Sequence, residues 1–227
     1  MISIIVPVYN EENTLDNFIS TLSKATSGKD AELIFVDGGS TDRTFEICNK
    51  SSFNVFRSPK KGRAAQMNFG AQKSKGDILY FLHADSIPPL SFIVDINDNI
   101  KKGYQSGCYR LSFKPDHYLL KFYAWFTKFD IDLFRFGDQS FFVKKEIFKD
   151  VGGFDETLSV MEDQQMVRDI KKQSTFVIMK NSVTTSSRKY IKVGVFKLQL
   201  IFALIVVLYY LGINQQTIVD FYSKQLN

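Results

Sequence analysis

The 227-residue chain carries 29 Lys+Arg against 24 Asp+Glu, a net charge of +5, with 44% hydrophobic and 23% charged residues. That length buries a full core without a disulfide or a structural metal, and the composition excludes a disordered or fibrous polymer. The mild basic excess suits a phosphate-bearing ligand or an anionic membrane surface, although solubility alone accounts for as much.

The elements follow in chain order. "ISIIVPVY" (2–9) is a β-branched apolar strand halted by "NEENTL", where Asn10 or Asn13 is expected to cap a helix bearing Leu15, Phe18, Ile19 and Leu22. "AELIFVD" (31–37) is a second strand, followed by a "GGSTD" turn and a helix expected to be capped by Thr41. "NVFRS" (54–58) is a third strand, residues 62–76 form a helix stopped by Gly76, and "DILYFLHAD" is a fourth strand. Near-continuous apolar strands alternating with helices predict an α/β domain with a mostly parallel sheet covered on both faces. Ligands on such sheets sit beyond the carboxyl ends of the strands, and the "PVYNEE" turn, Asp37 and Asp85 all fall there.

The pattern changes after Pro89. A helix over "SFIVDINDNI", a strand over 103–113, an aromatic amphipathic helix over 118–134, a helix over 161–173 and short strands near 175–185 are expected. The whole reads as one domain (1–190) followed by a hydrophobic helical tail (191–227). In the tail, the apolar run from Leu200 to Leu211 is shorter than the roughly 20 residues of a spanning helix. Arg188, Lys189, Lys192 and Lys197 precede it, so the expectation is a helix packed on the domain or lying at an anionic membrane surface. The 22 phenylalanines predict thick aromatic packing, with lipid or a partner as outlets for the surplus. Cys48 and Cys108 lack CxxC spacing and no signal peptide precedes the strand at Ile2, which points to a reducing cytoplasm.

Four groups of residues carry candidate chemistry. Asp37, before Gly38 and Gly39, either closes an Asx-turn or accepts hydrogen bonds from a base or ribose. His83 and Asp85, around Ala84, either end a strand in polar residues or offer a hard oxygen and an imidazole to Mg²⁺ or Mn²⁺. Glu162 and Asp163 open a helix, where acidic residues complement the helix dipole; the same field keeps a carboxylate ionised as a proton acceptor. Arg63, at a helix start after Gly62, is placed to meet a phosphate. Zinc is not expected, because His117 is the only other histidine and no cysteine has ligand spacing.

Together, "IIVPVYNEENTL", "FVDGGSTDRT", "GRAAQMNFGAQKSKGDILYFLHAD", "FFVKKEIFKDVGGFDE" and "MEDQQMVRDI" resemble the family 2 glycosyltransferases of the GT-A fold over about residues 2–173. The "LHADS", "GDQSFFV", "MED" and "TTSSRKY" forms are similar to a bacterial subgroup, the radical-SAM/selenodomain-associated transferase 2, also linked to arsenosugar biosynthesis. The resemblance implies a nucleotide-diphosphate sugar donor, UDP- or GDP-linked, and a metal-assisted displacement with inversion onto an unidentified hydroxyl acceptor. It implies that Pro7, Tyr9, Glu11, Asp37, Gly39, Arg63, Asn68, His83, Ala84 and Asp85 line the donor site. Asp85, with His83 in place of the family's first Asp, would hold Mn²⁺ or Mg²⁺; Asp163, next to Glu162, would be the base. Asp138, Gln139 and Arg188 are candidates for acceptor or diphosphate contacts, with acceptor choice in the 118–134 helix and the "FGDQ" turn. The Gln-x-x-Arg-Trp motif of polymer-forming members is missing. Two rivals stand beside this reading: a non-catalytic nucleotide-sugar-binding or membrane scaffold protein of the same fold, and a nucleotidyltransferase, disfavoured because "PVYNEEN" replaces its Gly-rich loop. No nucleic-acid partner is expected.

Overall fold

A computed structural model describes residues 1–135 and 137–226. Strands β1 (Ile2–Val8), β2 (Ala31–Asp37), β3 (Asn54–Arg57) and β4 (Ile78–Phe81) alternate with helices α1 (Leu15–Thr26), α2 (Thr44–Asn49) and α3 (Arg63–Lys73). Then follow β5 (Ser86–Ile87), α4 (Phe92–Lys101), β6 (Ser106–Lys114), α5 (Tyr118–Phe126) and 3₁₀ turns at Asp132–Phe134 and Gly137–Gln139. The chain continues through β7 (Phe141–Lys144), α6 (Lys145–Asp150), α7 (Glu162–Gln173), β8 (Phe176–Ser186), α8 (Arg188–Val193), α9 (Val195–Tyr210) and α10 (Gln215–Leu226).

The strands form one eight-stranded sheet in the order β3-β2-β1-β4-β7-β6-β8-β5. The β3 to β4 half is parallel, as the alternation of strand and helix predicts; β7 runs antiparallel to both neighbours, and β6 pairs parallel with β8. Successive residues of a strand point to opposite faces. Ile2, Ile4, Val6 and Val8 of β1 accordingly join one core layer with Leu15, Phe18 and Phe92, while Ile5 joins the other with Met67, Phe81 and Phe141. In α3, a Cβ on Gly70 would lie 2.5 Å from Ile5 Cγ2, so glycine lets this helix approach the sheet.

Several local expectations are corrected. Asn10 and Asn13 do not cap α1, which follows Thr14 without a side-chain cap; Asn10 Oδ1 instead accepts the Thr41 N–H at 2.9 Å. Thr41, thus engaged, does not cap α2; Asp42 Oδ1 accepts the Thr44 N–H at 2.9 Å. Helix α3 ends at Lys73, ahead of Gly76, with the Ser74 hydroxyl donating to the Ala71 carbonyl. The aromatic helix stops at Phe126 because Thr127 turns inward, accepting the Leu111 N–H at 3.0 Å. Buried Arg135 then donates to the carbonyls of Thr127 and Phe129 and to Cys108 Sγ, gathering the segment into a loop. The short strands expected near 175–185 are one strand, β8, of 11 residues.

The tail is packed onto the domain. Ile201 and Ile205 of α9 and Ile218 of α10 share a core with Val160 and Met161, just before α7. The Ser159 and Val160 N–H groups both donate to Gln215 Oε1, at 3.0 and 3.1 Å. Among the described residues no helix is long and apolar enough to cross a membrane.

Candidate active site

The site lies at the carboxyl ends of β1, β2 and β4. Loops after β1 and β2 are stitched together: the Asn10 N–H donates to Ser40 Oγ (3.0 Å) and the Glu11 N–H to Thr44 Oγ1 (2.7 Å). Asp37 is buried, its carboxylate accepting the N–H groups of Gly39 (3.1 Å) and Ser40 (3.2 Å), the Asx-turn arrangement. Pro7 is buried within β1, Tyr9 is exposed and Glu11 is half-buried. Burial raises the Glu11 carboxyl above its usual range, and the negative fields of Asp85 and Asp42 add to it. Gln66 passed unnoticed in the sequence. Its buried amide donates to the carbonyls of Val8 (2.9 Å) and Val36 (2.7 Å), locking together the strand ends that carry the loops.

Beyond β4 the chain leaves the sheet, so His83 and Asp85 project past its edge while Ala84 packs into the core. The turn Gly137–Gln139 brings Asp138 to them, with Asp138 Oδ1 3.2 Å from His83 Nδ1. One ligand atom from each of His83, Asp85 and Asp138 fits within a 4.8 Å group. Two carboxylates and an imidazole form a donor set that suits Mn²⁺ or Mg²⁺, the imidazole favouring Mn²⁺. The electrostatics agree with a site built for positive charge. Desolvation in the cleft and the adjacent Asp138 charge push the Asp85 carboxyl up. Burial and Arg63 oppose a charge on His83, but its hydrogen bond to Asp138 and the fields of Asp163 and Asp138 prevail and raise it. Burial likewise opposes the charge on Asp138; the His83 hydrogen bond and the charges of His83, Arg63 and Lys189 hold it below the carboxylate range.

Across the imidazole stands the α7 pair. Met161, with φ of +69°, reverses the chain so that Glu162 and Asp163 start the helix facing the cleft, both buried. Asp163 Oδ2 lies 3.9 Å from His83 Nε2. Arg63 binds this pair: Nε donates to Glu162 Oε1 at 2.5 Å and Nη2 lies 3.1 Å from Asp163 Oδ2, with Nη2 also against Glu162. Burial and the Asp163 charge raise the Glu162 carboxyl, and Arg63 opposes them. Gly137 roofs the same point, since a Cβ there would lie 2.1 Å from Asp163 Oδ2 and 2.5 Å from His83 Cε1.

Several of the sequence-derived site residues have protein partners in the structure. Arg63, expected to meet a phosphate, has its guanidinium against Glu162 and Asp163. Asn68, expected in the donor site, exchanges hydrogen bonds with the Phe154 backbone (2.9 and 2.8 Å) and reaches Glu156 (3.1 Å). Gln139 is buried and donates to the Tyr109 carbonyl at 2.9 Å, which turns it into the core. Asp138, expected at acceptor or diphosphate, joins the candidate metal ligands. Arg188 is exposed at the start of α8, while the next residue, Lys189, is the one whose charge is felt at Asp138. Phe136, the first residue of the "FGDQ" turn, lies outside the described residues.

Residues 3–150 match the family model described as "Glycosyl transferase family 2". The chain belongs to that family. Among curated family relatives, a dolichol-phosphate mannosyltransferase of Pyrococcus furiosus is 32% identical over 107 residues, covering 45% of this chain and 30% of the relative. An uncharacterized glycosyltransferase of Haemophilus influenzae is 38% identical over 109 residues, covering 45% of this chain and 40% of the relative. This family member therefore spans well under half the length of either through the matched region. S. aureus TarS in complex with UDP-GlcNAc superposes with TM-score 0.68 at 18% identity, covering 82% of this chain and 58% of that one. The mannosyltransferase PcManGT from Pyrobaculum calidifontis, in complex with GDP-Man and Mn²⁺, gives TM-score 0.65 at 18% identity, covering 85% and 59%. The fold is GT-A.

Proposed function

We propose that the chain transfers a sugar from a UDP- or GDP-linked donor to a hydroxyl acceptor, with inversion and with Asp163 as general base. The observation that carries this reading is the 3.9 Å between Asp163 Oδ2 and His83 Nε2, which brings the base to the candidate metal ligands across one imidazole. The UDP-GlcNAc, and the GDP-Man with Mn²⁺, bound by the two structural neighbours support the donor class.

His83, Asp85 and Asp138 would hold Mn²⁺ or Mg²⁺. When bound, such an ion supplies positive charge against the charge developing on the leaving diphosphate. The rest falls to the chain. The turn Pro7–Tyr9–Glu11 and the Asp37–Gly39 loop line the nucleotide end. Asp163 takes the proton of the acceptor hydroxyl as its oxygen attacks the anomeric carbon from the face opposite the diphosphate, whose bond to that carbon breaks. General-base catalysis is worth about 10²–10⁴-fold. Arg63 keeps two adjacent buried carboxylates compatible with charge at that point. Within the family, the "LHADS" and "GDQSFFV" forms support the radical-SAM-associated subgroup, and the two buried free cysteines support a cytoplasmic setting.

Calorimetry with UDP, GDP and dTDP in Mn²⁺, followed by a donor-hydrolysis screen, tests the proposal. Asp163→Asn should retain nucleotide affinity and lose at least about 10²-fold in turnover. Folded protein that binds none of the three nucleotides would sink it, and an Asp163→Asn variant that keeps full function in the cell would favour the scaffold reading.

A further inference from the structure

From Leu200 onward helix α9 is apolar around its whole circumference, and such helices are buried in protein or meet lipid. Its inner side is covered by α8, α10 and the segment before α7, and its two ends meet α5 and α7. The outer side leaves Phe196 (67%), Leu200 (61%), Leu204 (40%), Val207 (52%) and Leu211 (71%) open to solvent. Their three- and four-residue spacing makes one stripe, about 24 Å long at 1.5 Å per residue. Monomers in water rarely leave so large a contiguous apolar strip bare.

Along the chain, the segment that carries the stripe has charge of one sign. From Arg188 to Val219 the sequence holds Arg188, Lys189, Lys192 and Lys197 and no acidic residue. All four cations are exposed. Helix α5 extends the surface. Leu120, Leu119, Tyr123 and Ala124 pack with Val195 and Tyr190 in one small cluster, and α5 turns Tyr118, Phe122 and Trp125 outward. Lys128 sits over the Trp125 ring at 3.8 Å. Amphipathic aromatics beside lysines on an aliphatic face are the composition of a helix at the headgroup level.

We propose that the outer face of α9, with the aromatic face of α5 beside it, docks into the headgroup region of an anionic lipid bilayer. Spanning is excluded for α9, since no described helix is long and apolar enough to cross. A second copy fits less well, because a two-fold contact on this face would set the same cations against each other, whereas anionic lipid meets them with opposite charge. The proposal stands apart from the reaction assigned above, and its test needs no donor or acceptor.

The experiment is vesicle flotation of the 227-residue chain, using phosphatidylcholine with and without phosphatidylglycerol, at low and high salt. The protein should float with the anionic vesicles, and less so as salt rises. Lys192→Glu with Lys197→Glu should weaken partitioning by roughly 30-fold or more. Leu200→Glu with Leu204→Glu, both at exposed positions, should abolish it without altering the melting temperature. Wild-type protein that stays with neither vesicle, or a Leu200→Glu/Leu204→Glu protein that floats as before, overturns the proposal. So does a wild-type dimer in light scattering that this double substitution converts to monomer, which would assign the stripe to self-association.

Discussion

Gly137→Ala tests whether the Asp138 turn and Asp163, the proposed base, are built as one unit. The added Cβ would sit 2.1 Å from Asp163 Oδ2, 2.6 Å from Asp163 Cγ and 2.5 Å from His83 Cε1. The first of these is about 1.3 Å short of the 3.4 Å at which ordinary contact begins. Asp163 cannot swing aside freely, because Arg63 holds the same oxygen at 3.1 Å. The strain therefore moves either the base or the turn, and the turn carries Asp138. A displacement of about 1 Å in a reacting group costs about 10²-fold, or roughly 2.7 kcal/mol of barrier. Release of nucleoside diphosphate from the preferred donor, with Mn²⁺ titrated, should show turnover down about 100-fold. UDP or GDP affinity should hold, because the proposed nucleotide end lies on the β1 and β2 loops. A variant with turnover and Mn²⁺ affinity both near wild type would show that the turn yields without disturbing either group, and would refute the shared-unit reasoning.

Arg63→Gln removes the cation that opposes the rise of the Glu162 carboxyl, so the acid limb of the pH–rate profile should move to higher pH; an unmoved limb would remove Arg63 from that role. Asp138→Asn should weaken Mn²⁺ binding by at least about 10–100-fold, the loss typical of a partner that only orients a ligand, and by more if Asp138 ligates directly. Mn²⁺ affinity should also fall as pH is lowered. Against burial, Asp138 and Asp163 hold the His83 pKa above its ordinary value, so more protein carries a competing proton at each lower pH; a flat titration would exclude the imidazole as a ligand. Asn68→Ala should cost about 2 kcal/mol in urea unfolding, for two hydrogen bonds to the Phe154 backbone, with nucleotide affinity unchanged.

The parallel half of the sheet was legible because each of its signals is local. Strand β2 spans residues 31–37 as expected, and β1 differs from expectation by one residue at its end, since an apolar run between turn residues depends on its immediate neighbours. Helix caps were less legible. Asn10 and Thr41 are good capping types, yet they bond to each other's loops 31 residues apart, a tertiary alternative invisible to spacing. The aromatic helix failed for a related reason: its period continues past Phe126, while Thr127 and Arg135 bind β6 and the loop carbonyls and end it.

The same division runs through the site. The sequence marks Asp37, His83, Asp85 and Asp163 as candidates, because a polar residue following a buried strand or opening a helix stands out by its place in a short segment. Their partners were hidden. Arg63 meets Glu162 across 99 residues and His83 meets Asp138 across 55, and those encounters exist only once β7 inserts antiparallel beside β4 and α7 swings back over the cleft. Local hydrophobic period and turn chemistry thus set the strands and the residues at their tips. Which charges neutralise one another, and which apolar face of the tail stays bare, was decided by close packing among distant segments, where a side chain takes whichever partner the assembled sheet brings within reach.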